Sequence, residues 1–238
     1  MPGRWTLLKI TLLISEVTMK KLILSILFIL LFNPTTFAET ISQEQNVGSK
    51  EQAQVLIENS ILQSVALYGN GIGTGFCSGV ILKNTDKGAV ILTAKHCLGI
   101  VNESYADNSE IINAIPSFKY DLALVYTDKK IENKYPVVVA KSDILYRKIV
   151  YLVGYPIMEQ FISVGYTLVR THKNQFARLD IQHGCSGGGV FDENGELVGI
   201  ATMGVFNNDK SETASLTIFE PIQNIMDFLN TIKYKLDN

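Results

Sequence analysis

The chain has 238 residues, of which 47% are hydrophobic and 18% are charged, so it has enough apolar material for a substantial core and does not belong to the disordered class. Its formal net charge is −2. It lacks the excess of lysine and arginine that binding to nucleic-acid phosphates usually needs, and we therefore exclude nucleic acid as an expected partner.

The first predicted element is a secretory signal peptide. A basic start at residues 19–21 precedes the apolar run 22–32, and Pro34 interrupts the run shortly before Ala38. The run is too short to cross a bilayer comfortably, and small residues occupy both positions that cleavage requires. We expect residues 1–38 to be a leader and signal peptide cleaved after Ala38, which predicts a secreted or periplasmic protein with no stable membrane span. An uncleaved signal anchor is the alternative.

Residues 39–50 are polar and are expected to form a linker, after which residues 51–238 are expected to form one domain. The segment 51–66 begins that domain with the apolar spacing of a helix. Its apolar positions are Val55, Ile57, Ile61 and Leu62.

Short runs of β-branched and aromatic residues, bounded by turn-forming residues, fill the chain from Val65 onward. This spacing is typical of an all-β sandwich or a pair of barrels. Because no long helical segments alternate with the runs, a doubly wound parallel sheet is not expected. The runs are 76–82, 88–94, 121–126, 135–140, 149–155, 161–169, 175–181, 196–203 and 215–222.

The last segment returns to a helical period after Pro221, a residue that a first helical turn accepts. Its apolar residues fall on one face, which predicts a C-terminal helix docked on the core. They are Ile222, Ile225, Met226, Leu229 and Ile232.

The chain has three cysteines, and an exported protein meets an oxidising compartment where paired cysteines persist. Cys77 and Cys97 are spaced to close a loop of about twenty residues, which would stabilise the fold by about 3 kcal/mol in the chain-entropy model. Cys185 is then left over. A metal site formed by His96 with Cys77 and Cys97 is a weaker alternative, because adjacent residues rarely converge on one ion and there is no C-x-x-C spacing.

The three histidines, His96, His172 and His183, all precede Ser186. That order excludes the nucleophile elbow of α/β-hydrolases, whose histidine follows the serine. His96 comes directly after an apolar strand, and Asp121 opens another. A carboxylate can fix the tautomer of an imidazole base, although each residue alone would more often be a structural histidine or a strand-capping aspartate.

Five segments, in the family's own order, resemble the boxes of the trypsin-like (chymotrypsin-fold) serine proteases over roughly residues 65–232. The resemblance implies two antiparallel β-barrels with a C-terminal α-helix, and a disulfide between Cys77 and Cys97. The segments are 75-GFCSGVIL-82, 92-LTAKHC-97, 120-YDLALV-125, 184-GCSGGGV-190 and 197-LVGIATMG-204.

The resemblance implies a secreted serine endopeptidase in which Ser186 attacks a peptide carbonyl, His96 takes its proton and Asp121 orients the imidazole. In cysteine-nucleophile relatives the thiol directly precedes the paired glycines, and here Ser186, not Cys185, has that place. The backbone N–H groups of Gly184 and Ser186 are expected to form the oxyanion hole. The substrate is expected to be a protein or peptide, and no cofactor is implied.

The resemblance also places Asp180, six positions before the nucleophile, at the bottom of the first specificity pocket, where it would favour lysine or arginine in the substrate. The strand that lines this pocket would contribute Thr202, Met203 and Gly204. The family's pinning cysteine is replaced by Gln182, so the alternative for Asp180 is a polar-face residue of its strand.

Cys185 stands where the family usually has an aspartate or asparagine, and it carries no charge to pair with a freed N-terminus. We therefore expect an enzyme that is active without proteolytic maturation. The alternative from another functional class is a catalytically inactive, protease-like binding protein. A complete set of His96, Asp121 and Ser186 favours the enzyme, while the oligomeric state is left open.

Overall fold

The computed structural model describes residues 51–69, 75–100, 104–171, 173–206 and 213–236. The predicted leader, signal peptide and linker (residues 1–50) and His172 lie outside the described residues. The chain divides into two units, Met1–Gln52 and Ala53–Asn238, and only the last two residues of the first unit are described. In the described part of the chain, no helix has the length and apolar character needed to cross a membrane.

Residues 51–62 form helix α1, which ends earlier than the predicted 51–66. Strand β1, Ser64–Gly69, follows at once and pairs antiparallel with the strand that contains Val80. This pairing buries Val65 and Leu67. Because the sheet provides hydrogen bonds and burial for these residues, it overrides the local helical spacing.

The first barrel is closed and antiparallel, with neighbouring strands in the order β1-β2-β3-β6-β5-β4 and β4 pairing back to β1. Strong β-branched runs with short turns favour this arrangement, and closure removes free sheet edges. Besides β1, its strands are β2 (Phe76–Thr85), β3 (Gly88–Thr93), β4 (Ser104–Ala106), β5 (Ser109–Pro116) and β6 (Ala123–Thr127).

The second barrel is also closed and antiparallel, with the order β11-β12-β14-β9-β8-β7. A separate two-stranded ribbon is formed by β10 (Ile181–Gln182) and β13 (Thr213–Ala214). The strands of the second barrel are β7 (Ile149–Gly154), β8 (Phe161–Arg170), β9 (Gln175–Arg178), β11 (Gly189–Asp192), β12 (Leu197–Gly204) and β14 (Thr217–Pro221).

The predicted strand 135–140 is instead a connection that bonds to both barrels. The N–H of Val137 donates to the carbonyl of Ile81 in β2 at 2.8 Å, and Val138 accepts the N–H of Leu197 in β12 at 2.8 Å. Pro136 has no N–H for a regular ladder, and the remaining bonds are divided between two sheets. The segment therefore links the barrels and contributes only one isolated parallel bridge, Val139 to Leu197.

The two barrels share one continuous apolar core, because residues of both contribute to the same buried cluster. Burial of these side chains is the main favourable term in the fold. Its fully buried members include Val80, Leu92 and Leu124 from the first barrel and Leu152, Val190 and Ile200 from the second.

Helix α2, Ile222–Thr231, begins directly after Pro221 and docks on the core. The predicted apolar face is confirmed, since Ile222, Ile225 and Leu229 are buried while Met226 and Ile232 pack against the core partly exposed. The fold expected from the resemblance, two antiparallel β-barrels and a C-terminal helix, is confirmed.

A disulfide joins Cys77 of β2 to Cys97, which lies in the 3-10 segment Lys95–Ile100 after β3. The expected pairing is therefore present. The third cysteine, Cys185, is free and buried.

Reduction of this disulfide should lower the free energy of unfolding by about 3 kcal/mol, because the cross-link restricts the unfolded chain over a separation of 20 residues. The measurement is a denaturant titration with and without reductant, in a Cys185→Ala background where the disulfide is the only cysteine chemistry left. An unchanged transition midpoint would contradict the prediction.

Candidate active site

His96 is held by its backbone rather than by burial of its side chain, which is 46% exposed. It lies two residues after buried Ala94, which directly follows β3. The next residue, Cys97, is fixed both by the disulfide and by its N–H, which donates to the carbonyl of Ala94 at 3.1 Å. The imidazole therefore projects into solvent from a backbone that cannot shift freely.

Asp121 binds His96 through both oxygens of its carboxylate. Nδ1 of His96 lies 2.7 Å from Oδ2 of Asp121, and the backbone N–H of His96 donates to Oδ1 at 2.9 Å. A carboxylate at Nδ1 favours the tautomer that carries its proton there, which leaves Nε2 as the acceptor.

The same contacts determine the charge of Asp121. Partial burial acts to raise its pKa, but the hydrogen bonds from the side chain and backbone of His96 outweigh it and lower the pKa below its ordinary value. Asp121 is therefore ionised at neutral pH, and its negative charge stabilises an imidazolium on His96.

A second acid, Glu220, supports Asp121 from behind. The N–H of Asp121 donates to Oε1 of Glu220 at 2.9 Å, and the side-chain amide of Asn224 donates to Oε2 at 2.5 Å. Glu220 is only 5% exposed and lies at the end of β14, while Asn224 lies in α2. Neither residue was predicted from the sequence, although Glu220 is the one charged residue in the predicted strand 215–222, a signal that could have found it.

The loop before β11 leaves two backbone donors unused. Within the described part of the chain, the N–H groups of Gly184 and Ser186 donate no hydrogen bond. The other N–H groups of the loop are bound to carbonyl oxygens: Cys185 to Gln182 at 3.1 Å, Gly187 to Ala201 at 2.7 Å and Gly188 to Cys185 at 2.9 Å. The loop is thus fixed while two donors that line a cleft remain available.

Two glycines are required for this loop conformation. Gly184 and Gly187 have φ angles of +97° and +84°, in the region that other residues rarely adopt. A Cβ atom on Gly187 would also lie only 2.1 Å from the carbonyl oxygen of Ser78. The loop therefore packs its backbone directly against β2.

His96, Ser186 and Gly184 line one cleft of about 560 Å³. The hydroxyl of Ser186 donates to the carbonyl of Thr202 at 3.4 Å, and it makes no hydrogen bond with His96. A serine hydroxyl changes partner by rotation about χ1, and catalytic hydrogen bonds are often long or misaligned without substrate. The structure thus brings three predicted residues to one cleft without a direct bond between base and hydroxyl.

Cys185 is unsuited to be the nucleophile. Its side chain is fully buried, and burial raises the pKa of the thiol to about 11 despite an opposing backbone hydrogen bond. Since the thiolate is the reactive form of cysteine, a thiol that stays protonated at neutral pH is inert.

The four predicted specificity residues are not among the residues that line the cleft of His96 and Ser186. Asp180 is exposed and is not among the residues that line the cleft; its backbone N–H donates to the Ser163 hydroxyl at 2.8 Å. Met203 is 59% exposed, while the hydroxyl of the largely buried Thr202 donates to the Ile218 carbonyl.

Apolar side chains occupy the space beside Gly204. A Cβ there would lie 2.6 Å from Ile181 and 2.9 Å from Phe206. The imidazole of His183, which lines the cleft, stacks on Phe206 with ring centres 4.6 Å apart.

The alternative of a metal site is disfavoured because the two cysteine sulfurs are bonded to each other. Ligand atoms of Cys77, His96 and Cys97 lie within 4.8 Å of one another. Both sulfurs, however, are used in the disulfide, and cysteine binds metals as a thiolate. His96 is thus the one metal ligand of the three that remains usable.

Comparisons with known proteins agree with this architecture. A family model described as a trypsin-like peptidase domain matches residues 73–200. No curated protein matches the sequence significantly.

Three solved structures illustrate the fold. An inactive form of Rv3671c from Mycobacterium tuberculosis is 14% identical, with a TM-score of 0.60 over 76% of this chain and 92% of that one. An HtrA-type protease, AlgW, with a tripeptide is 18% identical, with a TM-score of 0.59 over 74% and 62%. A serine endoprotease from Yersinia pestis is 21% identical, with a TM-score of 0.61 over 74% and 65%. The chain therefore spans less than two thirds of the last two proteins.

Replacing Glu220 by alanine should destabilise the protein more than Glu220→Gln does. Alanine leaves the Asp121 N–H without its acceptor and removes one of the two acceptors of the Asn224 amide, which keeps the Lys173 carbonyl. Each unpaired buried group costs about 1–3 kcal/mol, whereas glutamine keeps one acceptor oxygen. Free energies of unfolding from denaturant titration test this, with Glu159→Ala as an exposed control. Equal stabilities of the alanine and glutamine variants would contradict the prediction.

Proposed function

Because the chain belongs to the trypsin-like peptidase family and is a serine endopeptidase, we propose that it hydrolyses peptide bonds through a triad of His96, Asp121 and Ser186. One observation carries the proposal: His96, fixed by two hydrogen bonds to Asp121, shares a cleft with Ser186. The substrate is a protein or peptide, and the protein acts as a secreted or periplasmic enzyme.

The reaction begins when the Ser186 hydroxyl turns from the Thr202 carbonyl toward Nε2 of His96. His96 takes the proton as Ser186 Oγ forms a bond to the peptide carbonyl carbon, and Asp121 stabilises the resulting imidazolium. His96 then gives the proton to the leaving amine as the peptide bond breaks, which leaves an acyl-enzyme on Ser186. A water molecule, deprotonated by His96, hydrolyses the ester and restores the hydroxyl.

The negative charge that develops on the carbonyl oxygen is stabilised by the backbone N–H groups of Gly184 and Ser186. Among the described residues these are the two loop donors without a protein acceptor, so binding of the oxygen breaks no hydrogen bond that the structure shows. A preorganised donor of this kind is worth about 3–4 kcal/mol in the transition state.

Two structural features support an exported enzyme that needs no maturation. The Cys77–Cys97 disulfide suits an oxidising compartment, which fits cleavage of a signal peptide after Ala38. The buried thiol of Cys185 offers no charge for a freed N-terminus, and the loop around it is already fixed by hydrogen bonds.

A fluorophosphonate should label the wild-type protein covalently. Ser186→Ala and His96→Ala should lose the label, because the first lacks the attacking oxygen and the second lacks the base. Cys185→Ala should keep it, and peptide hydrolysis by Ser186→Ala should fall by about 10³-fold or more. The measurements are in-gel labelling and kcat/KM.

The labelling results distinguish the proposed serine peptidase from the alternatives. A properly folded wild-type protein that takes no label would favour the alternative, a catalytically inactive protease-like binding protein. A label that persists in Ser186→Ala would assign the nucleophile to another residue.

The substrate preference expected from Asp180 stays a prediction. If Asp180 faces the substrate, wild-type protein will cleave a mixed peptide library after lysine or arginine, and Asp180→Ser will lose that preference because the attracting charge is removed. Mass spectrometry of the cleaved peptides measures both. Cleavage after apolar residues by both proteins would instead assign the choice to the apolar side chains beside Gly204.

A further inference from the structure

Ser78 of β2 connects the loop before β11, residues 184–188, to the first barrel; we call this segment the nucleophile loop. The residue is fully buried. Its backbone N–H donates to the Ser186 carbonyl at 2.7 Å, and its hydroxyl donates to the Gly184 carbonyl at 2.8 Å. The same hydroxyl accepts the N–H of Tyr155, just beyond β7, at 2.8 Å.

The two carbonyl oxygens that Ser78 binds belong to Gly184 and Ser186, which line the cleft and whose N–H groups donate no hydrogen bond within the described residues. Peptide groups are planar, so a bond to a carbonyl oxygen fixes the orientation of the whole peptide. The Gly184 carbonyl belongs to the peptide that joins Gly184 to Cys185, whereas the Gly184 N–H belongs to the preceding peptide, one Cα atom away. Ser78 therefore restrains the Gly184 N–H indirectly, because with the following peptide held the N–H can change direction only by rotation of the preceding peptide.

The backbone and the side chain of Ser78 have separable roles. The bond to Ser186 comes from the backbone and persists whatever side chain stands at this position. The bond to Gly184 comes from the hydroxyl alone. Gly184 is the residue that most needs it, because a glycine can leave its φ of +97° with little steric resistance.

We propose that the Ser78 hydroxyl is a positioning residue for the oxyanion hole: it keeps the Gly184 N–H directed at the carbonyl oxygen of the substrate. This inference rests on the proposed function. Without the hydroxyl, the Gly184 carbonyl and the Tyr155 N–H both lose their partner. The peptide between Gly184 and Cys185 then keeps only the bond from the Cys185 N–H to the Gln182 carbonyl, so the backbone of Gly184 is less restrained. The donor would then be out of place when negative charge develops.

Ser78→Ala should lower kcat by about 10- to 100-fold and leave KM nearly unchanged, because the donor acts on the transition state and not on the bound substrate. Affinity for a peptide boronic acid should fall by a similar factor. Its boron accepts the Ser186 oxygen, whose proton goes to His96, and becomes a tetrahedral anion that needs the oxyanion hole. Binding of the matching uncleaved peptide, measured in a Ser186→Ala background, should not change when Ser78→Ala is added.

Ser64→Ala is the matched control. Ser64 of β1 is also fully buried, and its hydroxyl also donates to a backbone carbonyl, that of Ser60, at 2.8 Å. It is not among the residues that line the cleft. This variant should lose stability but keep the wild-type kcat and boronate affinity per folded molecule.

Rates are normalised to the folded fraction from circular dichroism, and Ser78→Gly serves as a second variant without the hydroxyl. The inference is overturned if either folded variant keeps the wild-type kcat and boronate affinity, or if Ser64→Ala loses them equally. A wild-type protein that neither hydrolyses peptides nor takes a fluorophosphonate would instead sink the proposed function itself.

Discussion

The pairing of His96 with Asp121 is the interaction on which the candidate site depends. The carboxylate of Asp121 binds both the ring nitrogen Nδ1 and the backbone N–H of His96, so neither the imidazole nor the backbone of His96 can rotate freely. Asp121 is itself partly exposed, and its backbone is held by buried Glu220, so the orientation of the exposed ring depends on a chain of contacts that ends in the buried part of the protein. The disulfide at Cys97 secures the other side of the histidine.

The site also requires that two closed barrels keep a fixed relation. His96 follows a strand of the first barrel, whereas Ser186 precedes a strand of the second. The shared apolar core holds the barrels together without specifying direction, because hydrophobic contacts are non-directional. Direction comes from hydrogen bonds across the boundary: those of the connection 135–140 and those of Ser78 with the nucleophile loop.

The nucleophile loop shows how a fold can leave polar groups unpaired at low cost. Most of its carbonyl oxygens and N–H groups are bound inside the protein. The two N–H groups without a partner among the described residues belong to residues that line the cleft, where water or a substrate can bind them. Glycine makes the required left-handed conformations accessible at Gly184 and Gly187. Because glycine has few steric limits on its backbone dihedral angles, the conformation of the loop must be fixed by contacts with other parts of the protein.

The sequence by itself determined the β-rich fold class, the docked helix α2, the Cys77–Cys97 pair and the residues to examine as base, acid and nucleophile, because these depend on local periodicity and on short segments in a fixed order. It did not reveal Glu220 behind Asp121, 99 positions away, or the bond from Ser78 to Gly184 across 106 positions. The sequence pattern wrongly predicted a strand at 135–140, where the structure has a connection between the barrels, and it left open whether Asp180 is exposed. Only the tertiary structure decided these features. A buried hydrogen bond depends on which backbone group, distant in sequence, lies next to a side chain in the fold, and residue spacing alone does not specify this.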